Sequence, residues 1–468
     1  MLRARPSPGF TTISRAARRT QKTRRAGLTT KSDRDVPVAI VGGGASGTIL
    51  ALQLARRGIR SVLIDGSGRA GLGIAYSTTE PAHLLNVRAD RMSALAGDPH
   101  HFARQFEAEG GEPAGFAQRR LFGRYLRDML EETTASGQIL VEQATATRAS
   151  RDAAGWSVEL DRGETLNARA LVLAIGNQEP EPIPAFAGVG ERYVNNPWVE
   201  DARAAVSALV ESGGSALLIG TGLTMVDLAQ SLDAAGHYGR IVALSRRGQV
   251  PRAHADFDAV PVEPDDVPHG NLRALWRWLR RRSAEVGWRA AIDSLRPHSH
   301  ALWQALDVDQ QRRFMRHARP WWDVHRHRIA PEVAATIHRM IATGRLEIVA
   351  GRVLAVRLGD GRVNVEIRRR GADHSSVERF DYVINCTGPL HAMARTRNPL
   401  LRQLLDSGAV RTDHLGIGLE VDDRSRAGNG LWALGPLTKA RYWEIIAVPD
   451  IREQAAAVAD DIARELEE

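Results

Sequence analysis

One cysteine, Cys386, occurs in 468 residues. A single thiol excludes an internal disulfide and a redox-active dithiol, and it fits a reducing, cytoplasmic setting. It lies in the apolar stretch "YVINCTG", where a packed thiol is expected rather than a nucleophile. No run of about 18 apolar residues occurs, so nothing reads as a membrane span. The apolar core of a secretory signal is missing as well. Acids are nearly absent from residues 1–34, which hold ten of the 63 basic residues and one of the 55 acids. The remaining chain carries 53 basic residues against 54 acids, so its overall basicity is no argument for nucleic-acid binding. Residues 1–34 are rich in Arg, Ser and Thr without hydrophobic pattern, and a disordered basic tail is expected there. Its composition overlaps with that of transit peptides, but an upstream start or a solvated extension is the plainer reading.

What is present begins with "VPVAIVGGGASGTILALQLARRGIRSVLIDGS". Val36 to Val41 read as a buried strand, Thr48 to Arg57 as an amphipathic helix and Ser61 to Ile64 as a second strand. Gly42, Gly44 and Gly47 form the G-x-G-x-x-G turn between them. Such glycines allow a tight turn, close approach of backbone to a pyrophosphate, and close helix–strand packing. The helix start, with Ser46, offers free N–H groups to the phosphates. Asp65 falls 23 residues after Gly42, where a ribose 2′-hydroxyl needs an acceptor. This unit suits FAD or NAD equally.

A second unit, "SALLIGTGLTMVDLAQSLDAAGHYGRIVALSRRG", repeats the plan with Gly220 and Gly222 in the turn. Met225 stands at the third glycine position, so this helix is expected to pack less closely on its strand. The tip of the partner strand lacks an acid and carries Arg246 and Arg247 instead. A guanidinium binds phosphate through paired hydrogen bonds, which favours NADPH over NADH, although NADH stays possible. The alternative is a solvated basic turn. Two such units imply two cofactors, FAD at the first and NADPH at the second.

Strand–Gly crossings at "ARALVLAIGNQEPEPIP", with Gly176, and "FDYVINCTGPL", with Gly388, flank the second unit. The expected fold class is therefore α/β, with two Rossmann-like dinucleotide-binding domains and a helical insertion. The FAD domain is expected to be discontinuous, over 35–205 and 382–468, and the NAD(P)H domain to fill 206–381. Gly435 ends a short C-terminal strand before a long final helix; an acid often follows such a glycine and holds the ribityl chain, but Pro436 stands here. The insertion, 253–343, holds six of the ten tryptophans, and a water-excluding cap or an ordinary helical subdomain both fit. Within "RPWWDVHRHRIAPE", the i, i+2 spacing of His325 and His327 suits a strand and completes no metal set. Arg326 and Arg328 are expected either to hold an anion or to pair with acids inside the fold.

With both units, the crossings, "GIAYS", "HLLN", "HRHR" and "WEIIAVPDIR" in view, the chain resembles the bacterial FAD/NAD(P)-binding proteins that include flavin-dependent urate hydroxylases and L-aspartate N-monooxygenases. The resemblance covers about residues 36–460. It implies that Gly73, Tyr76, His83, Leu84 and Asn86 run beside the flavin, followed by Met92 and Ser93. Trp443 joins Arg326 and Arg328 as a substrate candidate. The expected activity is an FAD-dependent, NAD(P)H-consuming monooxygenase that hydroxylates a small polar or anionic metabolite through a flavin C4a-hydroperoxide. The expected partners are that small molecule and O₂, with neither nucleic acid nor membrane; the oligomeric state stays open. A flavin reductase or oxidase, or a non-catalytic FAD-bound protein, are the alternatives. The flavin carries the chemistry, so no side chain is singled out as a nucleophile.

Overall fold

Two mixed sheets, each with a parallel centre, organise the chain in the computed structural model, which describes residues 35–390 and 392–468. The expected disordered tail, 1–34, lies outside these residues. The first sheet is built from β1 (Asp35–Val41), β2 (Ser61–Ile64), β3 (Ile139–Glu142), the hairpin β4 (Ala146–Arg151) and β5 (Trp156–Leu160), and β6 (Thr165–Leu173). The second takes β7 (Tyr193–Val194), β8 (Ala216–Ile219), β9 (Ile241–Ser245), β10 (Leu346–Gly359), β11 (Arg362–Arg369), β12 (Ser376–Phe380) and β13 (Tyr382–Asn385). The chain then returns to the first sheet with β14 (Arg426–Gly428) and β15 (Leu431–Ala433).

The spatial order is β14-β15-β6-β1-β2-β3 in the first sheet and β12-β11-β10-β9-β8-β13-β7 in the second. β1 pairs in parallel with both β2 and β6, and β8 does so with β9 and β13. Each sheet thus centres on the strand that feeds a glycine loop. Both are covered by helices, as the nearly unbroken apolar runs "AIV" and "ALLI" of β1 and β8 require. This is an α/β fold with two Rossmann-type units.

The helix Ala45–Ala55 covers the first sheet, and the final helix Val448–Glu467 packs against it through Ile451, Ala455, Val458 and Ile462. The first helix starts three residues earlier than the sequence pattern suggests: Gly44 caps it in extended geometry, and Gly47 already lies within it. β10 changes role along its length. Leu346–Ala350 runs parallel to β9, and from Gly351 onward the same strand pairs antiparallel with β11.

Helices between Leu272 and Ala342 form the cap. Trp278, Trp303, Phe314 and Trp322 are buried together in its core. Trp321 is largely exposed, so only part of the tryptophan content serves packing. His325 lies in the helix Arg319–Arg326, which corrects the strand expected from the His325–His327 spacing. Pro320 near the helix start, and the spacing of the buried Trp322 and its neighbours, set a helical turn here. Among the described residues no three His, Cys, Asp or Glu side chains could hold a metal. None of the helices there is long and apolar enough to cross a membrane.

Candidate functional site

The first glycine loop closes where β1 ends. Gly42 has φ of 111°, and a Cβ on it would lie 2.4 Å from the Ala174 carbonyl oxygen at the end of β6. A Cβ on Gly47 would lie 1.9 Å from the Gly42 oxygen, so the helix can approach its strand only because that atom is missing. Gly44 is different: a Cβ there would meet only Gly73 Cα, at 3.6 Å. The free face of Gly44, at the N-cap of the helix, is thus a cradle that a diphosphate could fill. Asp65 sits at the tip of β2 with Oδ2 accepting from Gly43 N–H (3.0 Å) and Oδ1 accepting from Ser67 N–H (2.8 Å) and Ser67 O–H (2.5 Å). Its carboxylate is fixed beside the loop, where a nucleotide ribose would lie.

Gly435, φ 68°, comes up against Ser46, whose Oγ would be 2.8 Å from a Cβ on that glycine. Gln454, on the final helix, fixes the backbone at Gly435. Gln454 Oε1 accepts from Gly435 N–H (2.9 Å), and its Nε2 donates to Ser425 Oγ and Thr438 Oγ1, both at 3.0 Å.

Gly73 lies beside this cradle, but the side chains that follow it do not all face it. The helix Gly73–Tyr76 starts beside Gly44, and Tyr76 packs edge-on to Phe122 at 4.8 Å. Burial pushes the Tyr76 phenol up to about 12. His83, expected beside the flavin, turns to the second unit instead. Its Nε2 lies 3.0 Å from the Asp227 carbonyl oxygen and from Ser231 Oγ, on the helix Leu223–Ala234, while Nδ1 meets Thr78 Oγ1 at 2.8 Å. A carbonyl can only accept, so Nε2 carries the proton and both ring nitrogens are engaged. Arg119 joins the same contact, donating to both oxygens of Asp227 at 2.8 Å and to Leu84 O at 3.0 Å. "HLLN" therefore fastens the two units together. Asn86 accepts through its backbone oxygen from His254 Nε2 (3.1 Å) and lines a cavity under the cap.

In the second loop a Cβ on Gly220 (φ 120°) would lie 2.3 Å from the Cys386 carbonyl oxygen at the end of β13. Gly222 caps the helix with nothing within 4 Å of a Cβ, which makes a second open cradle. Met225 is fully buried where the first unit has Gly47. Arg246 and Arg247 diverge at the tip of β9. Arg247 Nη1 donates to His317 O (3.2 Å). Arg246 opens into a cavity of about 240 Å³ that Arg352, Arg368 and Arg370 also line. Ser245 pairs with Ala350 and Arg352 pairs with Arg368, so the turn of β10 from β9 to β11 brings these charges together.

The crossings that leave the two sheets lie side by side. Gly176 and Gly388 have φ of 76° and 88°. Asn385 Nδ2 donates to Glu181 O (3.1 Å), Thr396 Oγ1 donates to Gln178 Oε1 (2.9 Å), and Arg395 pairs with Glu181. The two cradles are thus held in a fixed relation by contacts at both their crossings and their helices.

The cap closes over the C-terminal return segment. Trp303 Nε1 donates to Ala440 O (2.7 Å) and its ring stacks on Trp443 at 4.7 Å. Trp322 Nε1 and Arg326 Nε donate to the two oxygens of Glu444, at 2.5 and 2.8 Å. Glu444 is buried with φ of 72°, a strained setting for a residue with a Cβ, held by those two bonds. Burial alone would raise its pKa, but Arg326, His327 and the Trp322 bond keep the carboxyl below the usual range. Arg328 is paired with Asp293 at 2.5 Å. Of the two open expectations for Arg326 and Arg328, internal pairing is the one their contacts satisfy. Two cavities remain under the cap, of about 460 and 590 Å³; Trp443 lines the first and Asn86 the second, with Arg91 and Arg296 common to both.

A family model described as FAD-NAD(P)-binding matches residues 39–178, which span the first glycine loop and the first crossing. The chain carries an FAD/NAD(P)-binding domain. Pentalenolactone D synthase of Streptomyces exfoliatus is 29% identical over 213 residues, 42% of this chain and 34% of that protein. This chain thus aligns with about a third of that relative's length. Among solved structures, L-lysine 6-monooxygenase of Pseudomonas syringae superposes with a TM-score of 0.66 at 15% identity, covering 92% of this chain and 99% of that one. An ornithine N-hydroxylase of Kutzneria, solved with reduced FAD, NADP⁺ and L-ornithine, gives 0.63 at 14% identity, with 92% and 99% covered. At these identities the likeness shows a shared fold over nearly the whole chain.

Several residues of the site escape the sequence pattern. Glu444 lies within "WEIIAVPDIR", but that run does not reveal that Trp322 and Arg326 are its partners, and Gln454 lies outside every motif quoted. Arg296 and Asp450 meet under the cap although 154 positions separate them. The signals in the sequence were the density of tryptophan in the insertion and the "WEIIAVPDIR" run that holds Glu444 and Asp450.

Proposed function

We propose that the protein is an FAD-dependent, NADPH-consuming monooxygenase acting on a small polar or anionic metabolite. The observation that carries this reading is the pair of open cradles, at Gly44 and Gly222, locked together through His83, Arg119 and the two crossings. One cradle would serve a simple dehydrogenase. Two in fixed relation suit the passage of hydride from a nicotinamide to a flavin.

The residues present fit both groups. Gly44, Ser46 and the N-terminus of Ala45–Ala55 would receive the FAD diphosphate, Asp65 the ribose, and Gly435 with the N-terminus of Val448–Glu467 the flavin end. Gly222 and the N-terminus of Leu223–Ala234 would receive the NADPH diphosphate, and Arg246 its 2′-phosphate. Bound FAD would supply the redox and oxygen chemistry. The protein's own part is to bind, orient and exclude water. Trp303, Trp322, Phe314 and Trp443 form an apolar wall at the cap, and a dry site protects reactive oxygen species bound to a cofactor from loss to solvent. Cys386 takes no part: it is buried, and among the described residues it has no second thiol to pair with.

The resemblance to urate hydroxylases and L-aspartate N-monooxygenases, and the likeness to structures of amine hydroxylases, support a nitrogen-containing substrate. Oxygen uptake with candidate substrates tests the proposal. A monooxygenase couples NADPH consumption to hydroxylated product, one for one. NADPH consumption that yields only H₂O₂ with every candidate would make it an oxidase.

A further inference from the structure

One amine beside the first cradle has no role in the function proposed above. Lys439 is the one lysine after residue 34; every other Lys or Arg position of residues 35–468 is arginine. It follows the turn Gly435–Thr438, whose first residue comes up against Ser46 in the glycine loop. Its Nζ donates to Asn177 Oδ1 at 3.2 Å, and Asn177 comes directly after Gly176 in the crossing that leaves β6. Asn177 also lines a cavity of about 580 Å³ between the two crossings, so the pair borders open space rather than packed core.

The order of the strands places this pair at the flavin half of the cradle. The central neighbours run β15-β6-β1-β2, and a dinucleotide lies across the C-terminal ends of such strands. The diphosphate cradle is at the end of β1, and Asp65, suited to the adenosine ribose, is at the end of β2. The other half of the dinucleotide must then pass over the ends of β6 and β15. Those are the strands whose following loops carry Asn177 and Lys439. The charged groups that face Lys439 are Arg319 and Asp323 on the cap helix Arg319–Arg326, and they pair with each other at 3.1 Å. Among the described residues no ion pair forms at Nζ, and burial, reinforced by Arg319, holds the amine down to about 8. An enclosed cation without an acid costs stability, and a lysine kept in such a place is a mark of function.

We propose that Lys439 sets a positive charge against the flavin end of the first cradle and thereby raises the affinity of bound FAD for electrons. NADPH gives up a hydride and becomes NADP⁺, so two electrons and one proton reach the flavin ring, which gains one negative charge. An ammonium nearby favours that charged product over the neutral oxidised ring. Asn177 is the positioning residue, its amide oxygen holding the ammonium between the two loops. The amine is charged below its pKa and neutral above it, so the effect is full at low pH and fades as pH rises past about 8. An arginine would give a fixed charge, whereas a lysine gives one that can be lost. This role rests on FAD occupying the cradle, as the proposed function requires, and holds whether or not a substrate is oxygenated.

The test measures the midpoint potential of FAD-loaded protein against dyes of known potential, from about pH 6.5 to about pH 10. Wild type is compared with Lys439→Met and Lys439→Arg. At the acid end Lys439→Met should favour oxidised flavin at least about tenfold more than wild type does, a fall of about 30 mV for this two-electron couple. The difference should close as pH rises above about 8. Lys439→Arg should stay above Lys439→Met by the same margin at every pH, because a guanidinium keeps its proton. Asn177→Ala, which frees the ammonium to turn away, should fall between wild type and Lys439→Met. Flavin content and thermal midpoint report whether each variant is folded, and Lys439→Gln serves where Lys439→Met loses FAD. A purely structural lysine would move the thermal midpoint and leave the potential alone. Equal potentials in wild type and Lys439→Met, both holding FAD, therefore overturn the inference. A difference that stays constant across the pH range overturns the titrating charge. Wild-type protein that takes up no FAD overturns the reading of the cradle and this role with it.

Discussion

Replacing Arg246 by alanine removes a guanidinium from the tip of β9 that has no acid partner among the described residues and opens into a cavity shared with Arg352, Arg368 and Arg370. A hydrogen bond to a charged group contributes about 1.5–3 kcal/mol. Arg246 is exposed, so solvent screening places it at the low end, about 1.5 kcal/mol, which corresponds to about tenfold in binding. The KM for NADPH should therefore rise about tenfold in Arg246→Ala, while the KM for NADH, which lacks the 2′-phosphate, should change by less than about twofold. Arg352→Ala and Arg368→Ala should move in the same direction by less, because each lies across the cavity from the strand tip. Arg247→Ala should discriminate least, since its Nη1 is already committed to His317 O. Steady-state kinetics with both coenzymes decide the matter. Wild-type enzyme that uses NADH as well as NADPH, with no discrimination in any arginine variant, would refute the reasoning and leave a solvated basic turn.

Gly47→Ala should abolish retention of FAD on gel filtration, because its Cβ would lie 1.9 Å from the Gly42 oxygen and must push the helix off the strand. Retention at the wild-type level would show the loop to be more tolerant than this packing implies. Lys439, the one lysine after residue 34, is held down to about 8 by burial and by Arg319. Its charged form is disfavoured in the folded state, so the full cost applies below about pH 8. Stability is regained between there and the ordinary lysine value of about 10.4. Lys439→Met should accordingly raise Tm at pH 7 and lose that advantage by about pH 10; an unchanged or lowered Tm at pH 7 would contradict it. Cys386 should react with a thiol reagent only after denaturation, since burial pushes its pKa up; labelling of native protein at the denatured rate would place it at the surface.

The parts of this molecule legible in the sequence are those set by local spacing. A strand, three glycines, a helix and a second strand must follow one another within about 30 residues, so the order of residue types alone locates them. β2 and β8 lie where the apolar runs put them, at Ser61–Ile64 and Ala216–Ile219. What escaped depends on packing between distant segments. The resemblance sets His83 beside the flavin together with Gly73 and Tyr76, but its bonds go to Asp227 and Ser231 on another unit. No feature of "HLLN" reveals that choice, because the acceptors lie about 145 residues downstream. His325 and His327 suggested a strand by their alternation, yet the turn is helical once Trp322 is buried against Glu444. Arg326 and Arg328 were visible as charges but not as pairs, because Glu444 and Asp293 lie far from them in the sequence.

The account stands most directly on the passage of electrons from one cradle to the other. Purified protein loaded with FAD and mixed anaerobically with NADPH should lose its oxidised flavin absorbance, and admitting O₂ should restore it. Protein that takes up no FAD, or that holds FAD which NADPH fails to reduce, would contradict the account.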